Sequence, residues 1–300
     1  MGKRVLLAVN TRARHGRIAR ERVVETLRAR GHQIVEPPDD ADPGALSRAI
    51  VARRDDVDVV AVGGGDGTLL RAIAGLIETK LPLAVLPLGT FNELARTLGI
   101  PAEIEAATAL LDDGAPLAID VGRVNGVPYF NEASVGLSTR VTRLQTPDVK
   151  RRLGLLAVPI TTLRALRWAR PMHLEIGSAN GDTCRLRAVQ LTVANSYRFG
   201  GVVENPEASL EDGQAWLYAL DAQNFWHTVR ILGAVALHRF AQAPEVVALK
   251  SARFTVRPVH GHRHRVFADS EEVTRLPATF DVVNRAVTVL VPADRVPAIR

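Results

Sequence analysis

A chain of 300 residues with 47% hydrophobic and 23% charged residues and a mean hydropathy of +0.05 has the make-up of a soluble globular protein of one or two domains, which excludes wholesale disorder. A single cysteine, Cys184, excludes a disulfide framework and a Cys-rich metal site, and suits a reducing cytoplasm. Basic residues outnumber acidic ones 38 to 32, almost all of them arginine, and the net charge of +6 favours anionic partners without choosing among nucleotide, lipid headgroup and nucleic acid. The opening Met1–Asn10 holds too short an apolar run for a signal peptide, and no apolar run reaches the roughly 18 residues of a spanning helix.

The first 120 or so residues alternate strand and helix signals. Arg4–Asn10 reads as a strand, Ile18–Arg30 as a helix ended by Gly31, Gln33–Glu36 as a strand and Pro43–Arg53 as a helix. A strand from Asp58 runs into glycines, Thr68–Thr79 is helical, Leu83–Leu88 is a strand, and a helix includes Leu94–Leu98. This alternation predicts a parallel sheet covered by helices on both faces, with ligands at the carboxyl ends of the strands. After Asp120 the segments become short and β-rich: Tyr129–Ala133, His173–Ile176, Arg187–Val193, Ala215–Leu220, Ala252–Val256, Arg265–Ala268, Thr279–Val283 and Ala286–Val291. They predict a mainly antiparallel β domain, interrupted by helical intervals at Val149–Ala169 and Asn224–Phe240.

Two loops carry the chemistry. Gly63-Gly64-Gly65-Asp66-Gly67-Thr68 lies between an apolar strand and a helix, where glycines let backbone N–H groups approach phosphate oxygens. An aspartate inside such a loop points to a metal ion or a proton transfer; the alternative is a glycine turn in which Asp66 caps the next helix. Leu86-Pro87-Leu88-Gly89-Thr90-Phe91-Asn92-Glu93 follows the next strand, which puts Thr90 and Asn92 near the first loop or, alternatively, makes them a helix cap.

Taken together, Gly64–Thr68 and Pro87–Asn92 resemble the diacylglycerol kinase catalytic-domain family, which includes bacterial soluble lipid kinases and is distantly related to NAD kinases. The resemblance continues through Ile119–Gly122, Phe130–Gly136, Asn195–Gly201, Asn205–Gly213 and Asp269-Ser270-Glu271. It implies an N-terminal three-layer α/β nucleotide-binding domain over residues 1–122 and a mainly antiparallel β-sandwich over 123–300, whose C-terminal segment is open to returning to the first domain. The active site is expected in the interdomain cleft. The implied activity moves the γ-phosphoryl group of ATP to a lipid hydroxyl with Mg²⁺, on diacylglycerol or a related lipid, in phospholipid biosynthesis. NAD kinase-like chemistry and a non-catalytic nucleotide- or lipid-binding role are the alternatives.

The resemblance also assigns roles. Glu271 matches the general base, while Asp66 and Asp120 match aspartates of a water and magnesium network. Asn10, Thr11, Gly64, Gly65, Gly67, Thr68, Gly89, Thr90 and Asn92 match nucleotide-contacting positions. Asp212, with the backbone carbonyls of Ser209 and Gln214, resembles a second, structural Mg²⁺ site, the alternative being an ordinary turn residue before Gly213. Departures are Leu70 and Arg71 in place of Asn-Glu, Glu93 in place of Asp, Ser270 in place of Gly, a loosely matched Asn10–Gly16 loop, and the absence of a threonine near Val35.

Val149–Pro171 sets Lys150, Arg151, Arg152, Arg164, Arg167 and Arg170 among leucines and Trp168, a pattern that fits either an anionic membrane surface or an ordinary packed helix. The expected partner is therefore a lipid substrate at an anionic membrane surface, met peripherally from the cytoplasm. No nucleic acid is expected, and a homodimer is left open. His260, His262 and His264 alternate without a further Cys or His, which favours a solvated turn over zinc.

Overall fold

Short aliphatic runs separated by helical periodicity build the first sheet of this computed structural model, which describes residues 2–10, 16–37, 42, 44–137, 161, 170–200, 203–221, 225–237, 239–261 and 263–295. The chain divides into two units, Met1–Val121 with Ser209–Asp212 and Val283–Arg300, and Gly122–Ala208 with Gly213–Val282.

In the first unit, β1 (Arg4–Val9), α1 (Gly16–Ala29), β2 (Gln33–Val35), α2 (Ala45–Ala52), β3 (Val59–Gly64), α3 (Asp66–Leu70), α4 (Ile73–Thr79), β4 (Leu83–Pro87), α5 (Glu93–Thr97) and α6 (Ile104–Asp113) follow one another. The strand order is β2-β1-β3-β4, all parallel. Every residue of β3 is buried, which requires helices over both faces. The helices pack in pairs, α1 with α6 and α2 with α4. Strand β5 (Ala115–Val124) leads into the second unit, which begins at Gly122.

The second unit continues with β6 (Val127–Tyr129), β7 (Glu132–Gly136), β8 (Met172–Ser178), β9 (Thr183–Ala188), β10 (Gln190–Ala194), β11 (Arg198–Phe199), β12 (Val203–Glu204), β13 (Ala215–Leu220), α7 (Phe225–Ala236), β14 (Val246–Ser251), β15 (Arg253–Pro258), β16 (Arg265–Ala268), β17 (Glu271–Arg275) and β18 (Ala278–Val291). Strands β14-β13-β10-β7-β16-β17 form one antiparallel sheet, and β18-β15-β8-β9 run antiparallel in another. The result is a β-sandwich. From Val283 onward β18 belongs to the first unit, where Val289 pairs parallel with Leu83 of β4.

Several elements differ from the pattern reading, each for a tertiary reason. The helix expected over Thr68–Thr79 is two, because the Ser47 hydroxyl of α2 donates to the Arg71 carbonyl (2.7 Å) and accepts from Gly75 N–H (3.1 Å), claiming both groups at the break. Tyr129–Ala133 is interrupted at Phe130–Asn131, whose N–H groups bond the Asp269 carboxylate instead of a strand. Arg187–Val193 is divided at Val189, where the chain leaves β8 as partner and joins β7 and β13. Thr279–Val283 and Ala286–Val291 are one strand, with Arg285 at φ +46° where a gap was read. The interval Asn224–Phe240 holds α7 and, separately, a 3₁₀ turn at Phe240–Gln242. Helix α6 and strands β5, β11, β12, β14 and β17 have no counterpart in the sequence pattern. The basic segment 149–171 lies outside the described residues apart from Thr161, Arg170 and Pro171, as do Thr11 and His262.

Candidate active site

Three strand ends bring the predicted nucleotide residues of the first unit together. Asn10, just past β1, donates its backbone N–H to the Gly63 carbonyl (2.8 Å), and its Nδ2 lies 3.4 Å from Thr68 Oγ1. Leu88, just past β4, donates N–H to the Gly64 carbonyl (3.1 Å). The loops after β3 and β4 then touch backbone to backbone: a Cβ on Gly89 would stand 2.4 Å from Gly65 Cα. A Cβ on Gly64 would stand 2.4 Å from Thr68 Oγ1. Glycine is thus dictated at 64 and 89 by the packing of the loops themselves.

Asn92 organises the second loop. Its Oδ1 accepts from Gly89 N–H (2.9 Å), and its Nδ2 donates to the carbonyls of Pro87 (3.2 Å) and Gly89 (3.0 Å). The residue itself takes φ +50°, a conformation Asn tolerates better than most. Thr90 is exposed beside it.

Asp66 accepts from Glu93 N–H (3.2 Å) and Leu94 N–H (3.3 Å), the first donors of α5. The sequence alternative is a cap on the helix that follows Asp66; the helix it caps is α5, which follows the other loop. Its carboxylate therefore ties the two loops together.

Asp120 lies elsewhere in the first unit, 1% exposed on β5. Its Oδ1 accepts from Arg285 N–H of β18 (2.7 Å), and its own N–H donates to the Leu210 carbonyl (2.7 Å). Ser209 Oγ accepts from Glu211 N–H (3.1 Å), while the Glu211 carbonyl accepts from Asn284 (3.3 Å). Asp212 follows in the same turn, with Gly213 at φ +68°, and Gln214 directly precedes β13. Asp66 and Asp120 thus serve separate sets of backbone donors. Among the described residues no three His, Cys, Asp or Glu side chains gather as a ready-made metal cage.

In the second unit, Asp269 and Ser270 form the two-residue turn between β16 and β17 with φ +42° and +74°. Positive φ at both positions is the turn geometry that suits the twist of a hairpin. Glu271 is exposed at the start of β17. Asp269, which the sequence marks only as part of the Asp-Ser-Glu motif, is 7% exposed and accepts from the N–H groups of Phe130 (2.8 Å), Asn131 (3.0 Å) and Glu132 (3.2 Å). The signal that finds such a residue is an aspartate at a two-residue turn between strands. Beside it Tyr129 is fully buried, and burial followed by the negative charge of Asp269 raises its phenol well above the usual range.

Residues 4–124 match the family described as "Diacylglycerol kinase catalytic domain", and residues 131–291 match the "YegS C-terminal NAD kinase beta sandwich-like domain". The chain belongs to the diacylglycerol kinase family. A diacylglycerol kinase of Bacillus subtilis is 28% identical over 243 residues, 79% of each chain. A protein of Pseudomonas savastanoi pv. phaseolicola named "Probable lipid kinase YegS-like" is 38% identical over 160 residues, and the chain spans about half the length of that relative. A solved diacylglycerol kinase structure from Bacillus anthracis shares the fold, with a TM-score of 0.78, 22% identity and 98% of each chain covered. Family membership supports a lipid kinase. No helix of the described residues is long and apolar enough to cross a membrane.

Proposed function

We propose that the protein transfers the γ-phosphoryl group of ATP to the hydroxyl of diacylglycerol or a related lipid, with Mg²⁺. The observation that carries this reading is the convergence of Asn10, Gly64–Thr68 and Gly89–Asn92 at three strand ends in a member of this family. Strand-end loops of an open α/β sheet are where such folds take ligands, and backbone N–H groups in glycine-rich loops suit phosphate oxygens. Thr11 extends the set in the reading but lies outside the described residues.

Within this reading Glu271 takes the proton of the lipid hydroxyl. The hydroxyl oxygen bonds to the γ-phosphorus as its bond to the β,γ-bridging oxygen breaks, and ADP leaves. Asp66 ties the two nucleotide loops through backbone donors, and Asp120 holds Arg285 of β18. Mg²⁺ suits the oxygen-only donor set of Asp212 with the carbonyls of Ser209 and Gln214, because this ion takes one or two carboxylates and keeps its waters. The Asp212 ion would be structural; a separate Mg²⁺ bound with ATP would supply charge neutralisation to the phosphates. Since a diacylglycerol acceptor lies in a bilayer, we place the substrate at an anionic membrane surface met peripherally, in line with the net charge of +6.

The test is a panel of lipids with γ-labelled ATP, read by which lipid gains label. Transfer to a lipid with a free hydroxyl supports the reading; transfer to NAD alone overturns it. In the same assay Glu271→Gln should lower kcat by roughly 10²–10⁴ with ATP binding retained, and an equally active variant removes Glu271 from the role of base.

A further inference from the structure

We propose that Asp269 is a positioning residue: its carboxylate fixes the β16–β17 hairpin that bears Glu271 to the β6–β7 turn, and it is not itself the proton acceptor. This rests on the reading of Glu271 as the base, and its test separates the two.

The geometry is specific. Asp269 Oδ2 accepts from Phe130 N–H, and Oδ1 accepts from both Asn131 and Glu132 N–H, at 2.8, 3.0 and 3.2 Å. A carboxylate offers about four lone-pair sites, so three of them are committed to backbone donors. The Asp269 N–H in turn donates to the Glu132 carbonyl (2.9 Å), which closes the connection in both directions. The turn so gripped is itself anchored, because Asn195 N–H donates to the Asn131 carbonyl (2.9 Å) and Asn195 Nδ2 to the Phe130 carbonyl (3.2 Å).

This grip explains two oddities of the chain. The N–H groups of Phe130 and Asn131, aimed at one carboxylate, do not serve a strand ladder, which is why β6 and β7 are separate. A two-residue turn built from Asp and Ser, both at positive φ, carries strain that glycine would avoid, and the bonds of Asp269 hold it there. A proton acceptor must reach the proton it takes, and Asp269 is 7% exposed with its oxygens turned to the backbone. Two residues on, Glu271 is exposed. The division of labour follows: one carboxylate sets the hairpin, the other meets the hydroxyl.

The experiment compares the full chain with Asp269→Asn and Glu271→Gln by residue-resolved amide exchange and by the pH profile of lipid phosphorylation. Asn retains one carbonyl oxygen but sets an N–H₂ group against a backbone donor, so Asp269→Asn should speed exchange at Phe130, Asn131 and Glu132 about tenfold or more. Its kcat should fall roughly 10–100-fold at every pH with the acid limb at the wild-type position, as expected of a misplaced base. Glu271→Gln should leave those three amides at wild-type protection and remove the acid limb. Wild-type exchange at 130–132 in Asp269→Asn overturns the grip, and loss of the acid limb in that variant alone overturns the proposal and makes Asp269 the base. If Asp269→Asn does not fold, the wild type still decides, because unprotected amides at 130–132 exclude the grip. A wild type that phosphorylates no lipid overturns the functional reading instead, while the exchange data continue to judge the grip by itself.

Discussion

Tyr129 and Tyr218 are both fully buried, but their hydroxyls meet different surroundings. Asn205 Nδ2 donates to the Tyr218 oxygen (2.7 Å), whereas among the described residues the Tyr129 hydroxyl has no hydrogen-bond partner. Removing an unpartnered buried hydroxyl should cost nothing or stabilise, while removing a bonded one strands its partner. Tyr129→Phe should therefore leave unfolding stability within about 1 kcal/mol or raise it, and Tyr218→Phe should lower it by roughly 1–3 kcal/mol, both measured by urea unfolding at pH 7. Burial raises both phenols above their ordinary value. Below about pH 10 they are protonated in the folded and unfolded chain alike; above it the unfolded chain ionises first, so stability declines as pH rises. Each Phe variant should flatten that alkaline decline, and a decline unchanged in both would assign it to other groups. Gly89→Ala is a sharper case, since its Cβ meets backbone at Gly65 rather than a movable side chain. It should cost about 1–3 kcal/mol and disturb nucleotide binding along with stability.

At the scale of elements, polar side chains decide where helices and strands stop. Ser47 separates α3 from α4, so Ser47→Ala should destabilise by roughly 1–2 kcal/mol by leaving the Arg71 carbonyl and the Gly75 N–H without it. An unchanged denaturation midpoint would show that the break comes from the chain itself. Within the unbroken β18, Arg285 takes φ +46° and gives its N–H to the Asp120 carboxylate. Asp120→Asn is expected to lower the melting temperature even without ligand. If only turnover falls, Asp120 acts on the substrate side and its bond to Arg285 is incidental.

The whole molecule interleaves its two units in sequence: the first is completed by Ser209–Asp212 and Val283–Arg300. Val287, Val289 and Val291 of β18 are buried, and Val289 lies beside β4. A fragment of residues 1–124 therefore lacks a strand of its own core, and it should show neither a cooperative thermal transition nor protected amides in β4. A cooperatively folding fragment would contradict that. Magnesium offers a second test at this scale. If Asp212 holds an ion in the folded state, added Mg²⁺ should raise the melting temperature of the nucleotide-free chain, and Asp212→Ala should abolish the rise.

The first-unit alternation was legible because buried parallel strands are short aliphatic runs, as in Val59–Gly64, and because Gly31 ends its helix segment at φ +82°. The two nucleotide loops were legible too, since glycines at close backbone approaches leave a plain mark in the chain. Local pattern carried less in the second unit. Val189 is apolar whichever sheet its strand joins, and nothing near Asp281 or Arg285 announces one continuous strand. The sequence by itself determined the two fold classes, the strand-end loops and the family. Tertiary structure alone decided that Asp66 caps α5, that Asp120 serves Arg285 and that Asp269 grips Phe130–Glu132, because a carboxylate's partners are chosen by which backbone donors the fold leaves unpaired beside it, 27, 165 and 139 to 137 positions away in the chain.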